Sequence, residues 1–364
     1  METEVSSLCY LIQEEIVVNV LLKSVLPVCF GISLTVLSVA ASAFEVLPDI
    51  APAPADNPTT PEKVELGKQL FFDQRLSVNG TVSCNTCHSV MTNGTDNRPV
   101  SVGVFDKRGG RSAPTVWNAA FLSSQFWDGR AATLEDQAKG PILASVEMGM
   151  PDEATVVARL KQIPGYVIQF KDVFGGEDSL TYDNIARAIA AFERTLITPN
   201  APVDLHLKGD KTALSAAAKR GMTLVKKIGC TSCHSGPNYA GPASLPVGQG
   251  FFQRFPTYSS EYDKKYDLKA DLGRHEVTQR AADKNMWRVP SLRNVALTAP
   301  YFHNGSVPTL DEAVRVMAKS QLNKTLKNTE VSDIVAFLNG LNGEFPTITM
   351  PRLPETPNST LLEK

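Results

Sequence analysis

The sequence predicts a mainly α protein whose architecture is made twice over, and three observations carry that reading. Apolar residues recur at helical spacing in several stretches, and no stretch reads as part of a strand-rich sheet. A Cys-x-x-Cys-His run occurs at Cys84-Asn85-Thr86-Cys87-His88 and again at Cys230-Thr231-Ser232-Cys233-His234. The motifs that follow the first run return, in the same order, after the second.

Residues 1–43 read as an export segment. Lys23 precedes an apolar run from Val25 to Ala40, and Ala41-Ser42-Ala43 supplies a small-residue cleavage site. Glu2, Glu4, Glu14 and Glu15 make an acidic start that is unusual for such a leader. An uncleaved membrane anchor is the rival reading, because the run is near the lower limit for spanning. Residues 44–60, rich in alanine and proline, read as a flexible lead-in. Thr60-Pro61 then offers an N-cap and a first-turn proline ahead of Val64, Leu66, Leu70 and Phe71, so a helix should run toward the first cysteine motif. A polar, glycine-bearing loop leads from His88 to Pro114, and a glutamate-containing segment occupies 125–150. A helix is expected over 152–163, stopped by Pro164-Gly165. Thr181 caps another, with Ile185, Ala188, Ile189, Phe192 and Leu196 on one face and Pro199 at its end.

Residues 200–210 read as the crossing between halves. The second half opens with a helix over 213–227 that leads into Cys230, passes a proline- and glycine-punctuated stretch to about Asp283, and closes with a helix over 330–341. Val331, Ile334, Val335, Leu338 and Leu341 form the apolar face of that last helix. The expected domains are therefore 61–199 and 200–350, with a tail over 351–364.

The duplication can be checked by position. Pro114-Thr115-Val116-Trp117-Asn118 falls on Pro290-Ser291-Leu292-Arg293-Asn294 at an offset of 176. At the same offset Phe126-Trp127-Asp128-Gly129 falls on Phe302-His303-Asn304-Gly305, and Thr133-Leu134-Glu135 on Thr309-Leu310-Asp311. Both threonines stand where an N-cap is wanted, with Asp136 and Glu312 as capping-box partners. The cysteine motifs are offset by only 146, so some 30 residues are unmatched.

The chain has 364 residues, 43% of them hydrophobic and 20% charged, which is the composition of a globular protein of two ordinary domains. A net charge of −2 argues against a nucleic-acid binder. Of six cysteines, Cys9 and Cys29 lie in the leader and the other four are the two pairs, which leaves none for a structural disulfide. A Cys-x-x-Cys pair alone could be a zinc half-site, a redox dithiol or a disulfide. The adjoining histidine, the second copy and the export segment favour covalent c-type haem instead. Cys84, Cys87, Cys230 and Cys233 would bond two haems, and His88 and His234 would be the proximal ligands. The fold class is then two tandem cytochrome c-like haem domains related by internal duplication.

The sixth position on each iron decides what each haem does: a protein ligand makes an electron-transfer haem and an open position a catalytic one. Histidine occurs elsewhere only at His206, His275 and His303. Met286, some fifty residues beyond the second motif, is the expected ligand opposite His234, although a methionine is otherwise a common core filler.

Further motifs carry a resemblance. Gly110-Arg111-Ser112-Ala113-Pro114-Thr115, Gln125-Phe126-Trp127-Asp128-Gly129-Arg130, Gln137-Ala138-Lys139-Gly140-Pro141 and Val146-Glu147-Met148-Gly149-Met150 resemble the bacterial di-haem cytochrome c peroxidases. So do Val289-Pro290-Ser291-Leu292-Arg293-Asn294 and Ala299-Pro300-Tyr301-Phe302-His303-Asn304-Gly305, and the similarity spans roughly residues 60 to 345. The resemblance implies hydrogen peroxide reduction at a low-potential N-terminal haem on His88. Electrons would enter from a small donor, a cytochrome c or a cupredoxin, at a C-terminal haem on His234 and Met286. It further implies Trp127 as electron relay, Glu147 and Gln137 as pocket residues above the catalytic iron, a periplasmic location and a homodimer. The chemistry agrees: a carboxylate beside the iron can carry a proton between the peroxide oxygens, and an apolar setting would raise its pKa. The plainer readings are a surface carboxylate for Glu147 and core packing for Trp127.

Two departures from the family matter. Many members carry a histidine that caps the catalytic haem in the oxidised enzyme; that position here is Val104, and no histidine lies between His88 and His206. An N-terminal site that is open without reductive activation is expected. The family also commonly binds Ca²⁺ through an asparagine where this chain has Ser112, with a second supplier expected near Phe255-Pro256-Thr257. His303 and His206 read as structural, while His275 and Arg274 are candidates for a haem propionate. Two other functions stay open: a di-haem electron carrier without peroxidase turnover, and a relative that oxidises a protein side chain, which carries tyrosine at the position matched to Met286.

Overall fold

The computed structural model describes residues 44–357, so the expectations for the leader, for Cys9 and Cys29 and for the end of the tail fall outside it. Twelve α-helices follow one another among the described residues: α1 (Pro61–Phe72), α2 (Cys84–Cys87), α3 (Leu134–Leu143), α4 (Glu153–Lys161), α5 (Pro164–Phe174), α6 (Tyr182–Glu193), α7 (Pro202–Leu207), α8 (Ala216–Ile228), α9 (Glu261–Lys265), α10 (His275–Thr278), α11 (Leu310–Leu322) and α12 (Asn328–Asn339). The only named strands among those residues are β1 (Phe252–Arg254) and β2 (Met286–Arg288), paired antiparallel. No described helix is long and apolar enough to cross a membrane.

Each half is centred on one helix crossing, and glycine permits both. Leu66, Leu70 and Phe71 of α1 are buried against Ile185, Ala188, Ile189 and Phe192 of α6. A Cβ on Gly67 would lie 1.8 Å from the Ala188 carbonyl oxygen. In the second half α8 meets α12 in the same way, where a Cβ on Gly221 would lie 1.9 Å from the Asp333 carbonyl oxygen. Each fully buried leucine or phenylalanine contributes about 1.5–3 kcal/mol, so these seams are the main support of each half.

The repeat persists at the scale of single hydrogen bonds. Isolated bridges Gln125↔Ala131 and Tyr301↔Val307 keep the offset of 176. Asn118 and Asn294 both adopt the left-handed conformation, with φ of 63° and 60°, and both donate to the Thr198 hydroxyl, at 2.8 and 2.9 Å. That threonine ties the two copies together. Phe126 and Phe302 repeat a rarer conformation for bulky residues, at φ of 66° and 70°.

Several expectations need correction. Thr133 and Thr309 do cap α3 and α11 through the Asp136 and Glu312 amides. The Glu312 carboxylate, however, does not close a box: it accepts from Lys265 and Tyr266 at 2.8 and 2.7 Å. The helix before Pro164 does end ahead of it, at Lys161, but Pro164 also starts α5, because a first-turn position needs no amide proton. The lead-in is packed against the rest of the described chain. Leu47 is 2% exposed, its amide donates to Asp204, and Phe44 packs on Tyr239 and Phe337 in the second half. Asn57, 1% exposed, sits in the first half, where it donates to Glu135. The end of the chain returns likewise: Phe345 meets Trp117 edge-on at 5.0 Å, and Arg75 donates to the Pro354 carbonyl.

Candidate functional site

Both Cys-x-x-Cys-His runs are short turns that deliver a histidine to a cavity. In the first, the Ser83 amide donates to the Thr86 hydroxyl at 3.0 Å, tightening α2, and His88 follows as its C-cap. His88 Nδ1 is 3.0 Å from the Pro114 carbonyl, and His234 Nδ1 is 3.0 Å from the Tyr239 carbonyl. A carbonyl at Nδ1 fixes that nitrogen as the donor, so Nε2 keeps its lone pair for a metal. Burial also pushes both imidazoles below the usual histidine range, toward the neutral, ligating form. Burial pushes all four thiols up, and no group of three or more His, Cys, Asp or Glu among the described residues could hold an ion. The donor set thus fits one histidine-ligated haem per motif, joined through neutral, apolar-facing cysteines, and does not fit zinc.

The cavity at His88 has a volume of about 340 Å³ and is lined by Cys87, Gln137, Trp127, Arg130 and Glu147 among others. Gln137 comes from α3, where Leu134, Gln137 and Pro141 share the face turned to the cavity. Glu147 comes from the turn that ends this segment, its amide bonded to the Ala144 carbonyl. Burial pushes its carboxyl above the usual range, with Arg130 opposing. His88 is the only histidine among the lining residues, and no methionine joins it.

The loop that departs from the family is closed down. Val104 is 1% exposed and does not line the cavity. Its amide donates to the Glu147 carbonyl at 2.8 Å, and a Cβ on Gly103 would lie 2.2 Å from the Val146 carbonyl oxygen. This loop therefore braces the very residue that carries the carboxylate.

The second site consists of two adjoining cavities of about 200 and 90 Å³, both lined by Cys230 and His234. Met286, the expected ligand, is not among the residues that line these cavities. Met286 lies on β2 opposite Arg254, its carbonyl accepts from the Arg274 amide, and it lines neither cavity, whereas its neighbour Trp287 lines the smaller one. Strand alternation turns adjacent side chains to opposite faces of the ribbon. The methionine that lines both cavities is Met317 on α11. Leu310, Ala313, Val314, Met317 and Ala318 make one helical stripe along the larger cavity. That spacing was available in the sequence.

Trp127 lines the cavities of both motifs; its indole donates to the Ser112 carbonyl at 2.8 Å, and its own carbonyl accepts from the Arg288 amide. Arg288, which sequence reasoning missed, also lines all three cavities. It is 3% exposed, and burial lowers its guanidinium to about 10. His303, 2% exposed, stacks on Trp287 at 4.0 Å, and burial lowers it to about 4. His275 bonds the Arg280 carbonyl, Arg274 the Asp128 carbonyl, and neither lines a haem cavity. His206 bonds the Asp210 carbonyl at the crossing.

Ser112 and the 255–257 stretch each have hydrogen-bond partners of their own. The Ser112 amide donates to the His303 carbonyl at 2.7 Å. The Phe255 carbonyl accepts from the Trp287 indole, and the Thr257 hydroxyl donates to the Arg254 carbonyl.

Comparison with known proteins places this geometry. The family model described as di-haem cytochrome c peroxidase matches residues 61–212, and one described as RoxA-like, cytochrome c-like matches 287–321. The chain is 44% identical to the cytochrome c551 peroxidase of Pseudomonas aeruginosa over 322 residues, covering 88% of this chain and 90% of that one. It is 42% identical to the cytochrome c551 peroxidase of Nitrosomonas europaea, covering 91% and 95%. Among solved structures, a MauG-like protein associated with microbial copper homeostasis aligns with a TM-score of 0.71 at 30% identity, covering 82% of this chain and 95% of that one.

Proposed function

The chain belongs to the di-haem cytochrome c peroxidase family, and from its geometry we propose a division of labour between its two haem sites. It is a cytochrome c peroxidase with two covalently bound c-type haems, taking peroxide as oxidant and a cytochrome as electron donor. In our reading peroxide is reduced at the His88 site, while the His234 site, with Met317 as its second ligand, receives the electrons. Trp127 relays them between the two.

The observation that carries the reading is the asymmetry of the cavities: a methionine lines the one at His234, and neither methionine nor a second histidine lines the one at His88. Bound at His88, a haem supplies the electrons and the Lewis-acidic iron for O–O cleavage. The chain supplies proton handling. Glu147 takes the proton from the inner peroxide oxygen and returns it to the outer one, where it leaves as water. Gln137 orients the peroxide by hydrogen bonding and holds no transferable proton of its own. With Val104 where a capping histidine would stand, the site is open in the oxidised protein. Residues 1–43 export the chain, and a small periplasmic cytochrome c or cupredoxin donates at the second haem.

Steady-state assay with hydrogen peroxide and reduced cytochrome c tests the activity, and absence of turnover in both oxidised and half-reduced preparations would sink it. An EPR spectrum of the oxidised holoprotein tests the open site. A high-spin signal is expected from the His88 haem, and a low-spin bis-histidine signal would overturn that part.

A further inference from the structure

A second carboxyl shares the His88 cavity. Glu193 ends α6, is 6% exposed, lines the cavity with His88, Gln137 and Glu147, and has a buried Oε2 with no hydrogen-bond partner. A hydrogen-bonded polar file begins at Arg194 and Glu135, whose charges act on Glu193. Arg194 donates to Glu135 Oε1 at 2.5 Å, and Asn57 Nδ2 donates to the same oxygen at 2.7 Å. Asn57 Oδ1 accepts from Lys63 Nζ at 2.9 Å, and Asn57 also donates to the Arg187 carbonyl. Arg187 pairs with Asp56 at the surface, where the two side chains are 37% and 72% exposed. Arg194 and Glu135 act electrostatically on Glu193, and Arg194 Nη1 and Glu135 Oε2 are, like Glu193 Oε2, buried without partners. Three orphaned polar atoms on neighbouring residues are what an internal water binds.

We propose that this file is the proton entry route of the peroxide site, with Glu193 as the last donor to the cavity. The proposal rests on the peroxidase reading. The reaction H₂O₂ + 2 e⁻ + 2 H⁺ → 2 H₂O breaks one O–O bond, and its two electrons come from the cytochrome donor. Glu147 only relocates a proton that peroxide already carries, so two further protons must enter from solvent in each turnover. Glu193 gives a proton to the oxygen left after cleavage and is reprotonated through water from the Glu135 and Lys63 side. Arg194, whose guanidinium keeps its protons, acts as a fixed charge beside the path. Burial holds the Glu193 carboxyl up to about 8, with Glu135 raising it and Arg194 opposing, so it carries a proton at neutral pH and can release one. Lys63 from α1 and Cys84 from α2 also face this cluster electrostatically.

The test uses the reduced di-haem holoenzyme mixed with hydrogen peroxide in weak buffer with a pH-indicator dye. Wild-type protein should take up protons in step with peroxide reduction. Glu193→Gln, with unchanged haem content and Tm, should slow both by about a hundredfold and enlarge the solvent deuterium isotope effect. Infrared difference spectra of the same reaction should contain a protonated-carboxyl band that Glu193→Gln removes and Glu193→Asp shifts. A purely structural Glu193 predicts wild-type proton uptake in Glu193→Gln, and that result overturns the proposal. So does a wild-type spectrum without a protonated-carboxyl band, a readout that holds even if Glu193→Gln does not fold. Wild-type protein that leaves peroxide unreduced overturns the peroxidase reading itself.

Discussion

At the scale of single residues, the His88 site places a carboxyl where proton transfer is needed and raises its pKa by burial. As a base Glu147 works only when ionised, so kcat/KM should fall as pH drops through its raised pKa. Glu147→Gln should lose about 10²- to 10⁴-fold in kcat and flatten that acid limb, as a stopped-flow pH series would reveal. At the second haem, Met317→Ala should abolish the sulfur–iron charge-transfer band and lower the reduction potential, because thioether ligation raises it. Met286→Leu should leave both unchanged; a spectroelectrochemical titration of the two variants decides between the methionines. That Glu147, Gln137 and Trp127 would line the cavity was legible because each sits inside a contiguous motif. The place of Met317 was not, because packing decides which side chain lines a cavity wall, and Met286 lies closer in sequence to the second motif.

At the scale of elements, the helix crossings are set by what glycine omits. Gly67→Ala and Gly221→Ala would each drive a methyl group into a carbonyl oxygen of the partner helix. Overpacking of that kind costs about 1–3 kcal/mol or more, so each variant should show a Tm lower by several degrees in calorimetry. Alanine at Gly110, where a Cβ meets nothing, should not. Most helices were readable from their caps, since Thr60, Thr181 and Thr309 each accept the amide expected. The helix after Pro164 is not announced by the proline, which both ends and begins helices. Only the chain beyond it, with Tyr166 and Phe170 buried, tells which. The stripe along α11 was present at helical spacing, but spacing does not tell a cavity wall from ordinary core packing.

At the scale of the whole molecule, the two ends of the described chain cross between the halves. Phe44 and Leu47 pack in the second half while Asn57 serves the first, and the returning end lays Phe345 and Ile348 against the first core. Truncation before Phe345 should therefore lower the stability of the first half by a few kcal/mol, as removal of a packed aromatic does. Limited proteolysis should then cut within α1 to α6 sooner than within α8 to α12. A clasp reinforces the arrangement: Arg111 binds Asp128 of its own half and Asp271 of the other at 2.5 and 2.6 Å. The contacts of the lead-in could not be read in advance, because an Ala- and Pro-rich segment carries no periodicity to say whether a surface awaits it.

The sequence by itself determined the duplication, the two haem attachment points and the helices that carry them. Those properties depend on residues adjacent in the chain or one turn apart, where spacing is geometry. The tertiary structure alone decided which methionine meets the second cavity, that Arg288 and Trp127 stand at both sites, and that Glu193 reaches the cavity wall from the end of a core helix. Each of those depends on how two elements pack, and packing is settled by close approach and the exclusion of water between surfaces that the chain order does not bring together.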